Sequence, residues 1–483
     1  MSERSTPELH YLSATDALTM FRSRELSPVE LLEAVISRAE QVEPDVNAFC
    51  FTYYDRARQQ AKEAERVYAT DPDAARPLEG LPVALKDEVE IEGEPATMAS
   101  LVYEREIAEA TTPFGQRLLD SGGIIHARTT TPEFSCAGFT HSKIYGVTRN
   151  PWNLHYGVGG SSGGSGASLA AGTSVLASGS DIGGSIRIPA SFNGVVGFKP
   201  PYGRVPVEVP FNMDTYCHNG PLARTVADCA LFENALAGPH RDDHTSLRPK
   251  LVLPPEFSGV EGLRIGYTVD YGGWAVDPEV RQNTREAALA LRDAGATVDE
   301  VDLVVDRELL DQAIGVHYQT MFAAWIGGIA EEHPDELNDY AVEFARMTAE
   351  RGAGQSVLEG MVMETELWRP IGALFEEYDV LIAPTSATRG LVAGDGYVGK
   401  TVEVGGETLP SYFDALLTPL FNLASRCPVL NVPSGFADNG VPTGVQLVAR
   451  TYDDETAFRV GAALEQVRPF WAGRTPTFTS QPH

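Results

Sequence analysis

Two segments rich in glycine and serine contain the residues of this chain most able to do chemistry. They are GVGGSSGGSGASLAAG at 157–172 and GSDIGGSIRIPA at 179–190. Such a segment can be a flexible linker, a phosphate-binding loop, or a tight turn that directs backbone N–H groups at a developing negative charge. The small, apolar sequence around both segments argues against a linker. Neither contains G-x-x-x-x-G-K-[ST] or is followed by the acid of a ribose-binding site, which argues against nucleotide binding.

The third use fits the sequence DIGGS, which ends at Ser185. Its residues Ile182, Gly183 and Gly184 offer consecutive backbone N–H groups beside a hydroxyl. Glycine lets the chain turn tightly enough for such groups to converge on an oxyanion. Ser185 is therefore the candidate nucleophile, and the three preceding residues are the candidate oxyanion hole.

A serine nucleophile needs a base, and Lys86 is the best candidate. None of the ten histidines falls in a recognisable triad motif, and G-x-S-x-G does not occur in a nucleophile-elbow context. Lys86 ends the apolar segment GLPVALK, where burial favours the neutral amine. To act near pH 7, its pKa must fall by roughly 3 units from the free value of about 10.4. A lone lysine after a strand is usually a surface or ion-pairing residue, so position alone leaves the base open.

Taken together, these motifs closely resemble the amidase signature family. Ser161 and Ser185 are 24 positions apart, which matches the family's spacing of bridging serine and nucleophile, and GLPVALKD lies upstream as in the family. The resemblance covers most of the chain, from about Ser27 to Arg450. Further similar motifs follow in the family's order: TTPEF at 130–134, TRNPWN at 148–153, GPLARTVAD at 220–228, LIAPT at 381–385 and VPTGVQLVAR at 441–450.

The resemblance implies roles for three residues: Ser185 forms an acyl-enzyme, Ser161 bridges, and Lys86 is the terminal base. It also implies a cis peptide bond between Gly160 and Ser161. A hydroxyl can donate and accept a hydrogen bond at once. The bridging serine can therefore take a proton from the nucleophile while it passes its own to the lysine, and the reverse transfer can protonate the leaving nitrogen.

The resemblance also implies supporting and pocket residues. Asp181 and Arg187 match a buried pair that supports the loop, and Ser162 is expected to be a hydrogen-bonding support. No cofactor is implied, and no metal, because the sequence has neither H-E-x-x-H nor a clustered His/Asp set. The backbone that lines the substrate pocket in the family corresponds here to Cys136, Ala137 and Gly138.

Predicted strands and helices alternate along the chain, which indicates an α/β fold with a mostly parallel or mixed sheet. Residues 1–70 are predicted to be mainly helical. Residues 238–262 are polar and rich in proline, and they are predicted to be a long surface connection, either at a domain boundary or within one domain. The family implies one α/β domain over 1–483, a large twisted mixed sheet covered by helices on both faces.

Composition limits the partners and the location of the protein. The chain has 37 basic and 67 acidic residues, a net charge of −30, which repels nucleic-acid phosphates and anionic membranes. It has no secretory signal and no apolar stretch long enough to span a membrane. Five widely spaced cysteines without a CxxC pair indicate a reducing compartment. We expect a cytoplasmic protein that binds a small-molecule amide and neither nucleic acid nor membrane; a homodimer is left open.

Three functions remain open. The first is an amidase that cleaves a carboxylic amide and releases ammonia or an amine, with esters and carbamates as further candidate substrates. The second is the glutaminase (A) subunit of a tRNA-dependent amidotransferase, although we recognise no partner-docking sequence. The third, a non-catalytic binding or scaffold protein, is disfavoured because all three catalytic positions are filled. The sequence does not reveal the substrate, since one triad serves many amides and esters.

Overall fold

An eleven-stranded sheet forms the centre of the structure, a computed structural model that describes residues 8–479. Residues 1–7 of the predicted helical region, and residues 480–483, lie outside the described part. The strands in chain order are β1 (Phe49–Thr52), β2 (Pro82–Lys86), β3 (Ile124–Thr129), β4 (Leu176–Asp181), β5 (Val196–Lys199), β6 (His218–Ala223), β7 (Arg264–Tyr267), β8 (Thr297–Glu300), β9 (Val380–Pro384), β10 (Val429–Phe436) and β11 (Pro442–Ala449).

The sheet is mixed, as the family resemblance implied. Its spatial order is β1-β3-β2-β4-β6-β5-β10-β11-β9-β7-β8. Four neighbouring pairs are parallel and six are antiparallel. The parallel pairs lie towards the two ends of the sheet, and the antiparallel strands β6, β5, β10 and β11 occupy its middle.

Fourteen α-helices occur within the described residues. They are α1 (Ala14–Ser23), α2 (Pro28–Val46), α3 (Tyr54–Thr70), α4 (Pro113–Ser121), α5 (Gly163–Ala171), α6 (Arg187–Asn193), α7 (Val226–Leu236), α8 (Pro278–Asp293), α9 (Arg307–Tyr318), α10 (Ala324–Glu332), α11 (Asp339–Arg351), α12 (Val357–Phe375), α13 (Leu420–Leu423) and α14 (Asp454–Val467). None of the helices in this part of the chain is sufficiently long and apolar to cross a membrane.

Helices cover both faces of the sheet. Successive side chains of a strand point to opposite faces, and in β9 they enter two different apolar clusters. Val380 and Ile382 pack in a cluster that includes residues of α8 and α14. Leu381 and Ala383 pack in a cluster that includes residues of α9 and α12. This alternation produces the predicted sheet with helices on both sides.

Local sequence signals account for several helix boundaries. Ser27 caps α2 in a capping box with Glu30, and Pro28 takes the first helical position. The segment that contains α3 was also predicted to be helical, and its alanine face is buried. Residues 237–263, which contain no helix or strand, connect α7 to β7.

Two strands bring the glycine-serine segments to one edge of the sheet. β2 and β4 are parallel neighbours, with Val83 opposite Leu176 and Ala84 opposite Ala177. The carboxyl ends of parallel strands meet at the same edge, where ligand sites of α/β sheets commonly lie. Lys86 is the last residue of β2, and the DIGGS loop leaves β4 at that edge.

Candidate active site

Lys86 and Ser161 are in direct contact in the interior of the protein. The Lys86 Nζ atom lies 2.7 Å from the Ser161 Oγ atom. Lys86 is fully buried, and Ser161 is 1% exposed. Burial lowers the pKa of Lys86, and the nearby Glu88 carboxylate opposes this effect. The Gly160–Ser161 peptide bond is cis, as the family resemblance implied.

Ser185 lies on the loop between β4 and α6, at the wall of a cavity of about 530 Å³. Ser161 borders the same cavity, so the candidate nucleophile and the bridging hydroxyl face one space. The Ser185 carbonyl accepts a hydrogen bond from the Ser162 N–H at 3.1 Å, which joins the two glycine-serine segments at this point. Ser185 is partly exposed to the cavity, as a group that must reach a substrate requires.

Two peptide units before Ser185 are held in defined orientations. The Tyr318 hydroxyl donates to the Ile182 carbonyl at 3.2 Å, and the Thr418 hydroxyl donates to the Gly183 carbonyl at 2.6 Å. Ile182 and Gly183 border the cavity together with Ser185. Since the C=O and N–H of a trans peptide unit point in opposite directions, fixing these carbonyls also fixes the N–H groups of Gly183 and Gly184.

The structure differs from the prediction at Gly184. Its N–H donates to the Asp181 carboxylate (Oδ1) at 2.8 Å, and the residue does not border the cavity. Its φ of +120° favours glycine, and an added Cβ would lie 2.0 Å from the Thr418 hydroxyl. Gly184 therefore makes the sharp turn of the loop, and its N–H is turned towards the buried support pair.

Asp181 and Arg187 form that support pair beneath the loop. Arg187 donates to both carboxylate oxygens of Asp181, at 2.8 and 2.9 Å, and both side chains are fully buried. Asn422 donates to the same carboxylate at 2.7 Å. Burial alone would raise the pKa of Asp181, but the Arg187 guanidinium outweighs it and holds this pKa well below its usual range. The pair therefore remains ionised and fixes the loop.

Ser162 and Gly160 hold the first segment against its neighbours. The Ser162 hydroxyl accepts from the Ser180 N–H at 3.3 Å, a supporting contact of the predicted kind. Gly160 packs so closely on the 137–139 backbone that an added Cβ would lie 2.5 Å from the carbonyl oxygens of Ala137 and Phe139. The three residues predicted to line the substrate pocket all border the cavity: Cys136, Ala137 and Gly138.

The remaining cavity wall includes a group of aromatic residues from distant parts of the chain. Tyr318 packs edge-on against Phe322, and Phe322 packs against Phe344, with ring centroids 5.6 and 5.8 Å apart. Phe134 and Trp325 pack together at 5.4 Å. The wall thus combines the loop after β3 with residues of the helical region 307–351.

Comparison with known proteins agrees with this geometry. A family model described as Amidase matches residues 30–458. An acylamidase of Rhodococcus erythropolis is 33% identical over 480 residues, which cover 97% of this chain and 98% of the relative. The crystal structure of a bacterial aryl acylamidase of the amidase signature family superposes with a TM-score of 0.87 at 28% identity, covering 96% of this chain and 97% of that chain.

The chain belongs to the amidase signature family. It is an amide hydrolase with the family's α/β fold. The family also includes the (A) subunit of the glutamyl-tRNA(Gln) amidotransferase of Lactiplantibacillus plantarum, which is 31% identical over 476 residues, covering 92% of this chain and 94% of the relative.

Sequence reasoning missed several groups at the site of this amidase. Ser180, one position before the predicted support residue Asp181, lies 2.8 Å from Lys86 Nζ. Ser180 lies in β4 two residues after Ser178, so the two side chains lie on the same face of the sheet. The Ser178 hydroxyl accepts a hydrogen bond from the backbone N–H of Lys86 at 2.9 Å. Glu88 forms an ion pair with Lys86 at 3.0 Å, and an acid two residues beyond a lysine was the only signal for it.

Proposed function

We propose that this amidase hydrolyses amides that carry a bulky apolar group, through a covalent acyl intermediate on Ser185. The observation that carries the mechanism is the 2.7 Å contact between a fully buried lysine and Ser161, beside the cavity that Ser185 borders. A hydroxyl next to an amine that burial makes easier to deprotonate is suited to proton transfer.

In the proposed reaction, Ser185 Oγ attacks the amide carbon while its proton moves to Ser161. Ser161 passes its own proton to Lys86 Nζ, so no charge builds up on the bridging oxygen. When the C–N bond breaks, the reverse transfers protonate the leaving nitrogen, which departs as ammonia or an amine. Water then attacks the acyl ester by the same relay and frees the carboxylic acid.

The negative charge on the tetrahedral oxygen needs backbone donors. The N–H groups of Ile182, Gly183 and Ser185 are suitable because these residues border the cavity. The Gly184 N–H is engaged by Asp181 and contributes through the turn that it stabilises. Preorganised N–H groups of this kind are among the largest contributions to catalysis of acyl transfer.

The cavity wall favours an apolar substrate. About 530 Å³ is room for a substrate the size of a substituted aromatic amide, and aromatic side chains such as Phe322 and Trp325 border this space. Some of the charged residues that border it pair with one another: Arg351 lies 3.7 Å from Asp311 and 3.6 Å from Asp414. The ligand class in this proposal is therefore a small-molecule apolar amide, and the proposed location is the cytoplasm.

The alternative of a glutaminase subunit fits this wall less well. Glutamine carries an ammonium and a carboxylate, and burying either one without an opposite charge is costly. The rings of Phe134, Phe322, Trp325 and Phe344 offer neither, although Arg307 and Glu208 also border the cavity. A scaffold role without catalysis does not explain the buried contact between Lys86 and Ser161.

A substrate series tests the proposal. We expect no turnover of glutamine, slow turnover of acetamide, and kcat/KM for 4-nitroanilides that rises about fourfold with each acyl methylene buried, until the cavity is filled. Release of 4-nitroaniline or ammonia is the measurement. The variant F322A should weaken the dependence on chain length, and V398A, at an exposed side chain, is the control. Preference for glutamine or acetamide over every anilide would contradict the substrate class.

A further inference from the structure

A carboxylate stands beside the lysine of the proposed relay. Glu88 Oε2 lies 3.0 Å from Lys86 Nζ, and the Glu88 side chain is 16% exposed, at the cavity wall. The two residues are on the same segment, two positions apart, where the chain leaves β2. No step of the proposed mechanism uses this carboxylate.

Glu88 is held in place from the opposite side. The Ser135 hydroxyl donates to Glu88 Oε2 at 2.5 Å. Ser135 and the preceding Phe134 both have left-handed backbone conformations, with φ of 54° and 53°. Non-glycine residues rarely adopt this conformation unless the surrounding structure requires it. The loop after β3 is thus shaped to bring a hydroxyl onto the carboxylate.

The surroundings of Lys86 Nζ match the three donors of an ammonium group. Its three oxygen neighbours belong to Ser161 at 2.7 Å, Ser180 at 2.8 Å and Glu88 at 3.0 Å. An ammonium has three N–H bonds, and each neighbour can accept one. Two of these neighbours are neutral hydroxyls, so Glu88 is the one that favours the charged form of Lys86 by electrostatic attraction.

Other titratable groups face the pair from neighbouring elements. Asp181, at the end of β4, is neutralised by Arg187 at 2.8 Å. Cys217, just before β6, is a buried thiol, and burial raises its pKa well above its usual value. Glu208, on the loop after β5, faces Glu88; burial raises the pKa of Glu208 to about 7. Glu88 is therefore the closest unneutralised negative charge to Lys86.

We propose that Glu88 is a positioning residue that holds the amino group of Lys86 between Ser161 and Ser180 and controls how readily it releases its proton. The proposal rests on the proposed function, since it assigns Glu88 a role in activating Ser185. Glu88 touches neither substrate nor nucleophile in this role. It acts through Lys86, and it sets the pH at which the relay becomes active.

The test is the rate at which a fluorophosphonate probe labels Ser185 as a function of pH. In the wild type, labelling should rise with pH along an acid limb, as Lys86 loses its proton. In E88Q, the midpoint of this limb should move to lower pH by about one to three units, because the opposite charge next to the amine is gone. E88D keeps the charge but places it one carbon further from the amine, so its midpoint should lie between those of the wild type and E88Q. E88D also provides the test if E88Q does not fold.

Two further variants show whether the shift in the midpoint comes from Glu88. E90Q changes an exposed carboxylate two residues along the chain and should keep the wild-type midpoint. E208Q tests the other carboxyl that titrates near neutrality. An E88Q or E88D midpoint equal to that of the wild type, or a shift in E208Q alone, would overturn the proposal. If wild-type Ser185 is not labelled at any pH, the proposed function itself fails, and the role of Glu88 falls with it.

Discussion

Burial and charge oppose each other at Lys86. Removing the side chain from water lowers the pKa of Lys86, whereas the Glu88 carboxylate favours the ammonium. Since burial is the larger effect, the pKa of Lys86 lies below the free lysine value of about 10.4. The lysine is therefore a better base in the protein interior than a lysine in water would be at the same pH.

The pH dependence of hydrolysis follows from that balance. A base must be deprotonated to act, so kcat/KM for an anilide should rise with pH and level off above the lowered pKa of Lys86. Steady-state assays from pH 5 to 10 measure this. K86M, which is similar in size but cannot titrate, should lose at least about 10²-fold in kcat/KM. A flat wild-type profile, with acylation shown to be rate-limiting, would contradict lysine as the base.

Tyr318 offers a test of how the oxyanion loop is held. Its hydroxyl fixes the Ile182 carbonyl, and its position leaves no space for a side chain at Gly183, where an added Cβ would lie 2.4 Å from the hydroxyl oxygen. Y318F should lower kcat about tenfold, less than the 10²- to 10³-fold expected for removing an oxyanion donor outright. KM should change little because the ring remains. Unchanged kcat would show that the Ile182 carbonyl needs no such support.

At the residue scale, the sequence was informative where one motif contains the chemistry. Lys86, Ser161 and Ser185 were identified from short segments, and the structure brings the first two into contact at the cavity that Ser185 borders. The sequence predicts that Gly184 offers its N–H to the oxyanion, whereas in the structure this N–H donates to the Asp181 carboxylate, a contact that a motif does not reveal. Tyr318 was missed because it lies more than a hundred residues further along a helical region without a recognisable motif.

Close packing between the elements of the site depends on Gly160. An added Cβ would lie 2.5 Å from two carbonyl oxygens of the 137–139 segment, closer than real Cβ atoms come. G160A should therefore destabilise the fold by about 1–3 kcal/mol and lower activity strongly, because the bridging serine follows directly. G327A, in α10 with nothing within 4 Å of the added carbon, is the control and should be neutral or slightly stabilising. Thermal unfolding and anilide turnover of both variants are the measurements, and equal stability of the two would contradict the packing argument.

For the secondary-structure elements, the local sequence pattern predicted where strands occur better than it predicted their order in the sheet. β2, β3, β7 and β9 are short, largely buried segments of the predicted alternation of strands and helices. β1 (FCFT) was missed because it is a four-residue strand at the edge of the sheet, preceded and followed by strong helices. The order of the strands could not be predicted, because sequence-distant strands such as β5 and β10 pair through crossovers that no local signal records.

Charge affects how the stability of the whole molecule depends on pH. A net charge of −30 makes the folded state repel itself increasingly as pH rises. Burial also raises the pKa values of Glu43 and Glu465 to about 7, above the unfolded value of about 4.3. Between about pH 4.5 and 7, these two carboxyls therefore hold more protons in the folded state than in the unfolded chain, and their contribution to stability falls as pH rises through this window.

We therefore expect a Tm that is lower at pH 8 than at pH 5.5, by roughly 2 °C or more. Salt should reduce the difference, since it screens the surface charge. E465Q removes one buried titrating carboxyl and should narrow the difference further, whereas E455Q, at an exposed position of the same helix, should not. Scanning calorimetry at both pH values measures this. A Tm that rises from pH 5.5 to 8 would contradict the assignment.

The most direct test of the account is the identity of the nucleophile. Intact-protein mass spectrometry after reaction with a fluorophosphonate probe, followed by peptide mapping, should give a single adduct on Ser185 in a protein that releases 4-nitroaniline from anilides. S185A should take up no probe and lose turnover, while its Tm stays within about 2 °C of the wild type, because only one partly exposed oxygen is removed. Turnover retained by S185A, or an adduct on a different residue of an active enzyme, would contradict the proposed mechanism.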